Sequence, residues 1–337
     1  MSPGLFFDCY GYRFELTGNC ASAIGGAADD FAFFASEPPA GPCVKLILDR
    51  EAPDYEGLPP VVARFYTPRN VVYQAGNVRI LDFGGRGLAR WDPMTRVFHM
   101  RSQDADLVYE AAYLFLLSQI GENQDARRMH RLHALAMSWN GRAVLAMLPM
   151  GGGKSTLGLE MLKHPGFRLL SDDSPIIGPH GEVKAFPLRL GLLPGQEQEV
   201  PASQRRLIQR MEFGPKYVVN YAHFSNRVAP SAQPGLLLIG RRTLAREGWV
   251  ERASCRQAMR AMFSHMVLGL GLYQGLEYLV NHSAGELLAK LGVAASRARN
   301  AYALVRRSRN YFLYLGRDVA ANARLVTALA EERLPQA

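Results

Sequence analysis

The sequence predicts an α/β chain with a larger core domain and a smaller β-rich N-terminal domain. Three observations predict it. An apolar run at residues 143–147 leads through Leu148-Pro149-Met150-Gly151-Gly152-Gly153-Lys154-Ser155-Thr156 into a helical pattern carrying Leu157, Leu159, Met161 and Leu162. A second apolar run, residues 167–171, ends at the acid pair Asp172-Asp173. Ahead of both, residues 1–103 read as short apolar or alternating runs parted by Pro and Gly clusters.

Composition bounds the answer. The 337 residues are 48% hydrophobic and 20% charged, which suits one large or two ordinary globular domains and excludes a disordered chain. Cys9, Cys20, Cys43 and Cys255 are widely spaced with no CxxC pair, so neither a zinc site nor a disulfide framework is expected; reduced cysteines in a cytoplasmic protein are. No basic-then-apolar signal segment opens the chain. The apolar stretch 262–280 is interrupted by His265, Gln274 and Glu277, and reads as a buried helix and not a membrane span. No membrane partner is expected. The formal net charge is +9, and only six of the 39 basic residues are lysine. Arginine pairs at 205–206, 241–242 and 306–307 suit either an acidic or phosphorylated ligand or plain solvated helix faces. No nucleic-acid reader motif is present, and no nucleic-acid partner is expected.

The elements follow in order. Strand runs are expected at 5–16, 44–48, 61–66, 71–74, 78–83 and 96–100, with no catalytic constellation among them; the Gly84, Gly85, Gly87 loop is an ordinary turn. Residues 104–120 form a strong helix through Leu107, Val108, Ala111, Tyr113, Leu114, Leu117 and Ile120, ended by Gly121. The expected division is a β-rich domain 1–103, a connecting helix 104–124 and a nucleotide-binding domain 125–337. Asn140-Gly141 between apolar runs signals a type I′ hairpin. Trp139 then faces Arg142, and counting back sets His133 opposite Leu148, at the entrance to the glycine loop. His164-Pro165-Gly166 stops the loop helix. A right-handed crossover sets strand 167–171 parallel to strand 143–148, with both C-termini on one edge, where ligands bind in open α/β sheets. A hairpin at 176–186, a loop with Arg189, a polar and partly irregular segment 195–232 (a candidate lid or substrate segment), a core strand 236–240, helices over 255–298, a strand 311–315 and a closing helix 319–332 complete the chain.

These residues suit phosphoryl transfer, which needs positioning and charge neutralisation. The amides of Gly151, Gly152, Gly153, Lys154, Ser155 and Thr156 suit phosphate oxygens at a helix N-terminus. Lys154 would reach the β- and γ-phosphates. Ser155 with one of Asp172 and Asp173 would hold Mg²⁺, and the remaining acid would take the proton of an attacking hydroxyl. Leu148 stands where the usual loop begins with glycine, which suits a turn starting at Pro149. His133 has two readings, a proton-transfer or phosphoryl contact and a hydrogen-bonded hairpin histidine; His130 lacks that placement. Arg189 suits a phosphate or an acidic substrate. Arg168, inside a strand, reads as structural.

Taken together, His133-Ala134, Asn140-Gly141-Arg142-Ala143-Val144, the loop 151–156, Leu169-Leu170-Ser171-Asp172-Asp173, Phe186-Pro187-Leu188-Arg189, residues 236–242 and residues 310–316 resemble the HPr serine kinase/phosphorylase family and its HPr-kinase-related members. The resemblance covers roughly residues 128–335. It implies a P-loop-containing, phosphoenolpyruvate-carboxykinase-like kinase core that uses ATP and Mg²⁺ to phosphorylate a serine hydroxyl. It also implies the paired aspartates as metal ligand and base, His133 and Lys154 in the active site, and a possible homo-oligomer. Some relatives act on ribosomally made precursor peptides such as lasso peptides. The chain has no clear copy of the segment used for phosphorolysis, so neither a phosphorylase activity nor HPr as substrate is implied. Two alternatives stand beside a peptide or protein serine kinase: a small-molecule kinase with the same site, and a non-catalytic nucleotide-binding regulator.

Overall fold

The computed structural model describes residues 4–149, 151–192, 195, 197, 200–267 and 284–335. The chain is mixed α/β. Its first half runs β1 Leu5–Cys9, β2 Tyr12–Thr17, α1 Ala21–Asp30, β3 Ala35–Ser36, β4 Val44–Asp49, β5 Ala63–Tyr66, β6 Val71–Ala75, β7 Val78–Asp82, β8 Gly87–Asp92, β9 Val97–Ser102 and α2 Ala105–Ala126. There follow β10 His130–Arg131, β11 Leu135–Trp139, β12 Arg142–Met147, α3 Lys154–Leu162, β13 Phe167–Ser171, β14 Ile176–Ile177, β15 Val183–Lys184 and β16 Leu190–Gly191. The chain ends with β17 Arg205–Ile208, β18 Lys216–Val219, α4 Tyr221–Phe224, β19 Ser231–Arg242, β20 Trp249–Arg252, α5 Cys255–Met262, α6 Ala284–Arg307, β21 Arg309–Leu315 and α7 Val319–Arg333. No helix among the described residues is long and apolar enough to cross a membrane.

The chain divides into two units; the described residues of the first are 4–123 together with 197 and 200–221. Its sheet has the order β3-β1-β2-β4-β9-β8-β7-β6-β5. Alternation along β2 and β4 turns Phe14, Leu16, Leu46 and Leu48 inward. Phe115 of α2 stacks on Phe98 at 4.0 Å, and Phe31 meets Phe14 edge-on at 5.3 Å. Helix α1 lies outside the runs expected from sequence. It buries only Ala23, Ala27 and Asp30, so it carries no stripe of large apolar residues, and Gly26 within it lies against the Tyr109 ring. Strand β8 also lay outside those runs; it opens on a glycine and carries Arg90 between buried positions.

Two expectations need correction here. Gly121 does not end the connecting helix: α2 continues through it to Ala126. The chain turns instead at Arg128, which takes φ 58° while Met129 N–H donates to Gln124 O at 2.9 Å, a left-handed closure without glycine. The segment 195–232 is also more regular than expected, because β17 and β18 form an antiparallel hairpin. Arg206 on β17 pairs with Asp29 and Asp30 of α1 and donates to Tyr109 Oη at 3.1 Å, so this arginine serves the first unit internally.

In the second unit β11 and β12 form the Asn140-Gly141 hairpin with Trp139 opposite Arg142. Asn140 at φ 49° and Gly141 at φ 71° give the positive pair a type I′ turn requires. β12, β19 and β21 are parallel neighbours. β13 runs in the same direction as β12, as expected, but β11 lies between them, antiparallel to both. The C-terminal ends of β12, β13, β19 and β21 therefore share one edge. The expected apolar helix over 262–280 lies partly outside the described residues; up to Val267 it comprises the end of α5 and a π-helical turn, Phe263–Val267.

Candidate functional site

The site is assembled where β12 ends. Its buried residues carry the chain to Leu148, which is fully buried beside Gly240 of β19: a Cβ on Gly240 would stand 2.3 Å from Leu148 Cδ2. Leu148 thus belongs to the core, and the turn starts at Pro149, whose carbonyl accepts from Gly152 N–H at 3.0 Å. Gly153 takes φ 97° as the N-cap of α3, leaving the first amides of that helix without helical acceptors. Thr156 is buried in that first turn.

Lys154 opens α3 and is buried. Its ammonium donates to Leu148 O at 2.9 Å, to Pro149 O at 3.3 Å and to His133 Nε2 at 3.0 Å. His133 Nδ1 lies 3.2 Å from Asp173 Oδ1, and Lys154 Nζ lies 3.4 Å from the same oxygen. The counted register is the reason: the hairpin brings the residues before Leu135 alongside those after Met147, and Ala134 N–H donates to Asp173 O at 3.1 Å.

The two acids divide. Asp172 is buried and its Oδ2 accepts from Ser155 Oγ at 2.6 Å. Asp173, 51% exposed at its side chain, faces His133 and Lys154. Crowding pushes the Asp173 carboxyl up, while the hydrogen bond and charge of His133 and the charge of Lys154 outweigh it and hold the carboxyl below its ordinary range. Ser171 Oγ, which accepts from Ser174 N–H at 3.1 Å and donates to Phe186 O at 2.8 Å, fixes the turn that splits the acids.

The structure thus brings His133, Lys154, Ser155, Asp172 and Asp173 together around the Gly151–Gly153 turn. Arg189 stands half-buried just before β16. Arg168 is exposed on β13. His130 belongs to another network, with Nδ1 2.7 Å from Asp125 and Nε2 2.8 Å from Ser296 Oγ.

Two further residues reach the site. Arg242, the last residue of β19, is exposed, and its Nη1 stands 3.1 Å from where a Cβ on Gly153 would lie. In sequence it stood as half of an arginine pair and as the end of the 236–242 segment, with no site role assigned. His265, on the π-helical turn, accepts from His133 N–H through its carbonyl at 3.0 Å and stacks its ring parallel to that of His133 at 5.9 Å. Burial lowers its pKa, and the neighbouring His133 and Lys154 lower it further. In sequence it only interrupted an apolar run.

Among the described residues no group of three or more His, Cys, Asp or Glu is arranged to hold a metal ion. Magnesium does not need one, since it binds proteins through one or two oxygens and keeps phosphate and water as its other ligands. The chain matches no family model and no curated protein.

Proposed function

We propose that this chain is an ATP-dependent phosphotransferase acting on a hydroxyl, most readily a serine of a peptide or protein. The observation that carries the reading is the convergence of Lys154, Ser155, Asp172 and Asp173 on one glycine turn at the sheet edge where parallel strands end. The resemblance to HPr-kinase-like enzymes, with their phosphoenolpyruvate-carboxykinase-like core, supports the same conclusion and extends it to the serine acceptor.

In this reading the amides of residues 151–156 hold the phosphates, and Lys154 leaves the Leu148 and Pro149 carbonyls to neutralise the terminal ones. Ser155 Oγ and Asp172 Oδ2, 2.6 Å apart, supply hard oxygens that fit Mg²⁺. Bound magnesium would supply charge neutralisation at the phosphates. Asp173 takes the proton of the attacking hydroxyl, and His133 orients it through Nδ1. Arg189 serves the phosphates or an acidic acceptor. The four free cysteines suit a reducing compartment such as the cytoplasm.

The test is Asp173→Asn, assayed by mass spectrometry of candidate peptides and metabolites incubated with ATP and magnesium. Transfer should fall by about 10²–10⁴-fold while ATP binding stays measurable by calorimetry. Undiminished transfer removes Asp173 from the reaction. Wild-type protein that binds no nucleotide overturns the reading as a whole.

A further inference from the structure

At the end of the second unit's sheet where β21 begins, the fold leaves a cleft of about 430 Å³ lined by Arg252, Ala253, Arg309, Asn310, Tyr311 and Arg333. The three arginines come from three elements: the last residue of β20, the first of β21 and the last of α7. Pairing places them together. Arg252 lies opposite Tyr311, and Ala253 N–H donates to Asn310 O at 3.0 Å.

Among the described residues no carboxylate lines this cleft. Arg333 pairs with Glu332 through Nη2 at 2.7 Å, yet its Nε is buried without a hydrogen-bond partner among the described residues. Arg252 and Arg309 form no ion pair among the described residues. Gathering guanidinium groups around one concavity raises their mutual repulsion, which an anion between them relieves. Their planar forks match phosphate and carboxylate oxygens. The volume falls within the range of small-ligand sites. The phosphate loop follows the C-terminal end of β12, whereas Arg309 opens the parallel strand β21, so the cleft belongs to the opposite end of the strands.

We propose that this cleft is a second anion site, taking a small ligand with clustered phosphate or carboxylate oxygens. It is independent of the phosphate loop, and neither reading requires the other.

Calorimetry with inorganic pyrophosphate, on variants that separate the two sites, tests it. Lys154→Ala should keep a pyrophosphate-binding event that weakens at least tenfold when Arg252→Ala and Arg309→Ala are added; both arginines are exposed, and unchanged melting confirms an intact fold. Citrate in place of pyrophosphate identifies the ligand: comparable binding marks a carboxylate site, and loss of binding marks a phosphate site, both in support. A Lys154→Ala protein that binds neither probe overturns the proposal, as does binding indifferent to the two arginine changes. Failure of the phosphate-loop reading looks different: the event at the arginines persists, and no event in wild type depends on Lys154.

Discussion

The Lys154 ammonium stands 3.0 Å from Nε2 of His133 and 2.9 Å from the carbonyl of Leu148. A single buried cation is thus shared between an imidazole and the backbone of the loop it belongs to. Nucleotide phosphates would compete for that cation, and its departure leaves His133 facing Asp173 alone.

The first expectation concerns this histidine. His133→Gln should lower kcat by about 10²-fold, the contribution of an oriented proton-transfer group, and leave the ATP Kd within a few fold. Steady-state kinetics with calorimetry separates the two. An unchanged kcat would return His133 to the role of a hairpin residue.

Arg242 ends β19 against Gly153 and is exposed. Its removal should act on terminal phosphate charge, as other arginines do at transferring phosphoryl groups. Arg242→Ala should reduce kcat/KM by about ten- to a hundredfold, and Arg242→Lys should recover part of it. The comparison of ATP with ADP binding is the diagnostic measurement: the loss should fall more heavily on ATP. Equal losses would place Arg242 on the inner phosphates.

Gly153 holds φ 97°. Gly153→Ala forces an L-residue into left-handed backbone, at about 1–2 kcal/mol, and brings a methyl group within 3.1 Å of Arg242 Nη1. Chemical denaturation should show that loss, and nucleotide affinity should fall with it. Gly25, in α1 with open space around its Cβ position, serves as the control, where alanine should stabilise.

The Asp125, His130 and Arg297 cluster governs acid stability. Burial raises the Asp125 carboxyl, and the bonds from His130 and Arg297 hold it below its ordinary value. A depressed folded value means the unfolded chain takes up the proton first. The stabilisation is therefore complete above about pH 4–5 and is lost as pH falls through the folded value. Asp125→Asn should cost about 1.5–3 kcal/mol at pH 7, and its curve should converge with wild type in acid. Denaturant titrations across that range supply the check; a difference independent of pH would remove the linkage.

Local signals carried much of what was legible in the sequence. The type I′ turn at Asn140-Gly141 has only two residues, so it sets the hairpin register, and that register put His133 beside the glycine loop. Positive φ demanded glycine at 151 and 153. The placement of Leu148 in the core followed from the turn starting at Pro149. Helix α1 escaped notice because its buried face is alanine, and apolar periodicity needs larger residues to show. Gly121 misled because a glycine ends a helix only where the backbone turns left-handed, and here Arg128 makes that turn.

From order in the chain alone came the strand-loop-helix, the acid pair after β13 and the hairpin, because each depends on neighbours within a few residues. Which strands flank β12 was settled only by packing: β11 separates it from β13, and β19 takes the other side. That choice brings Arg242 against Gly153, while the π-helical turn sets His265 beside His133. No local pattern encodes such meetings, since residues far apart in the chain are joined by the burial of apolar surface over the whole unit, and burial has no direction along the sequence.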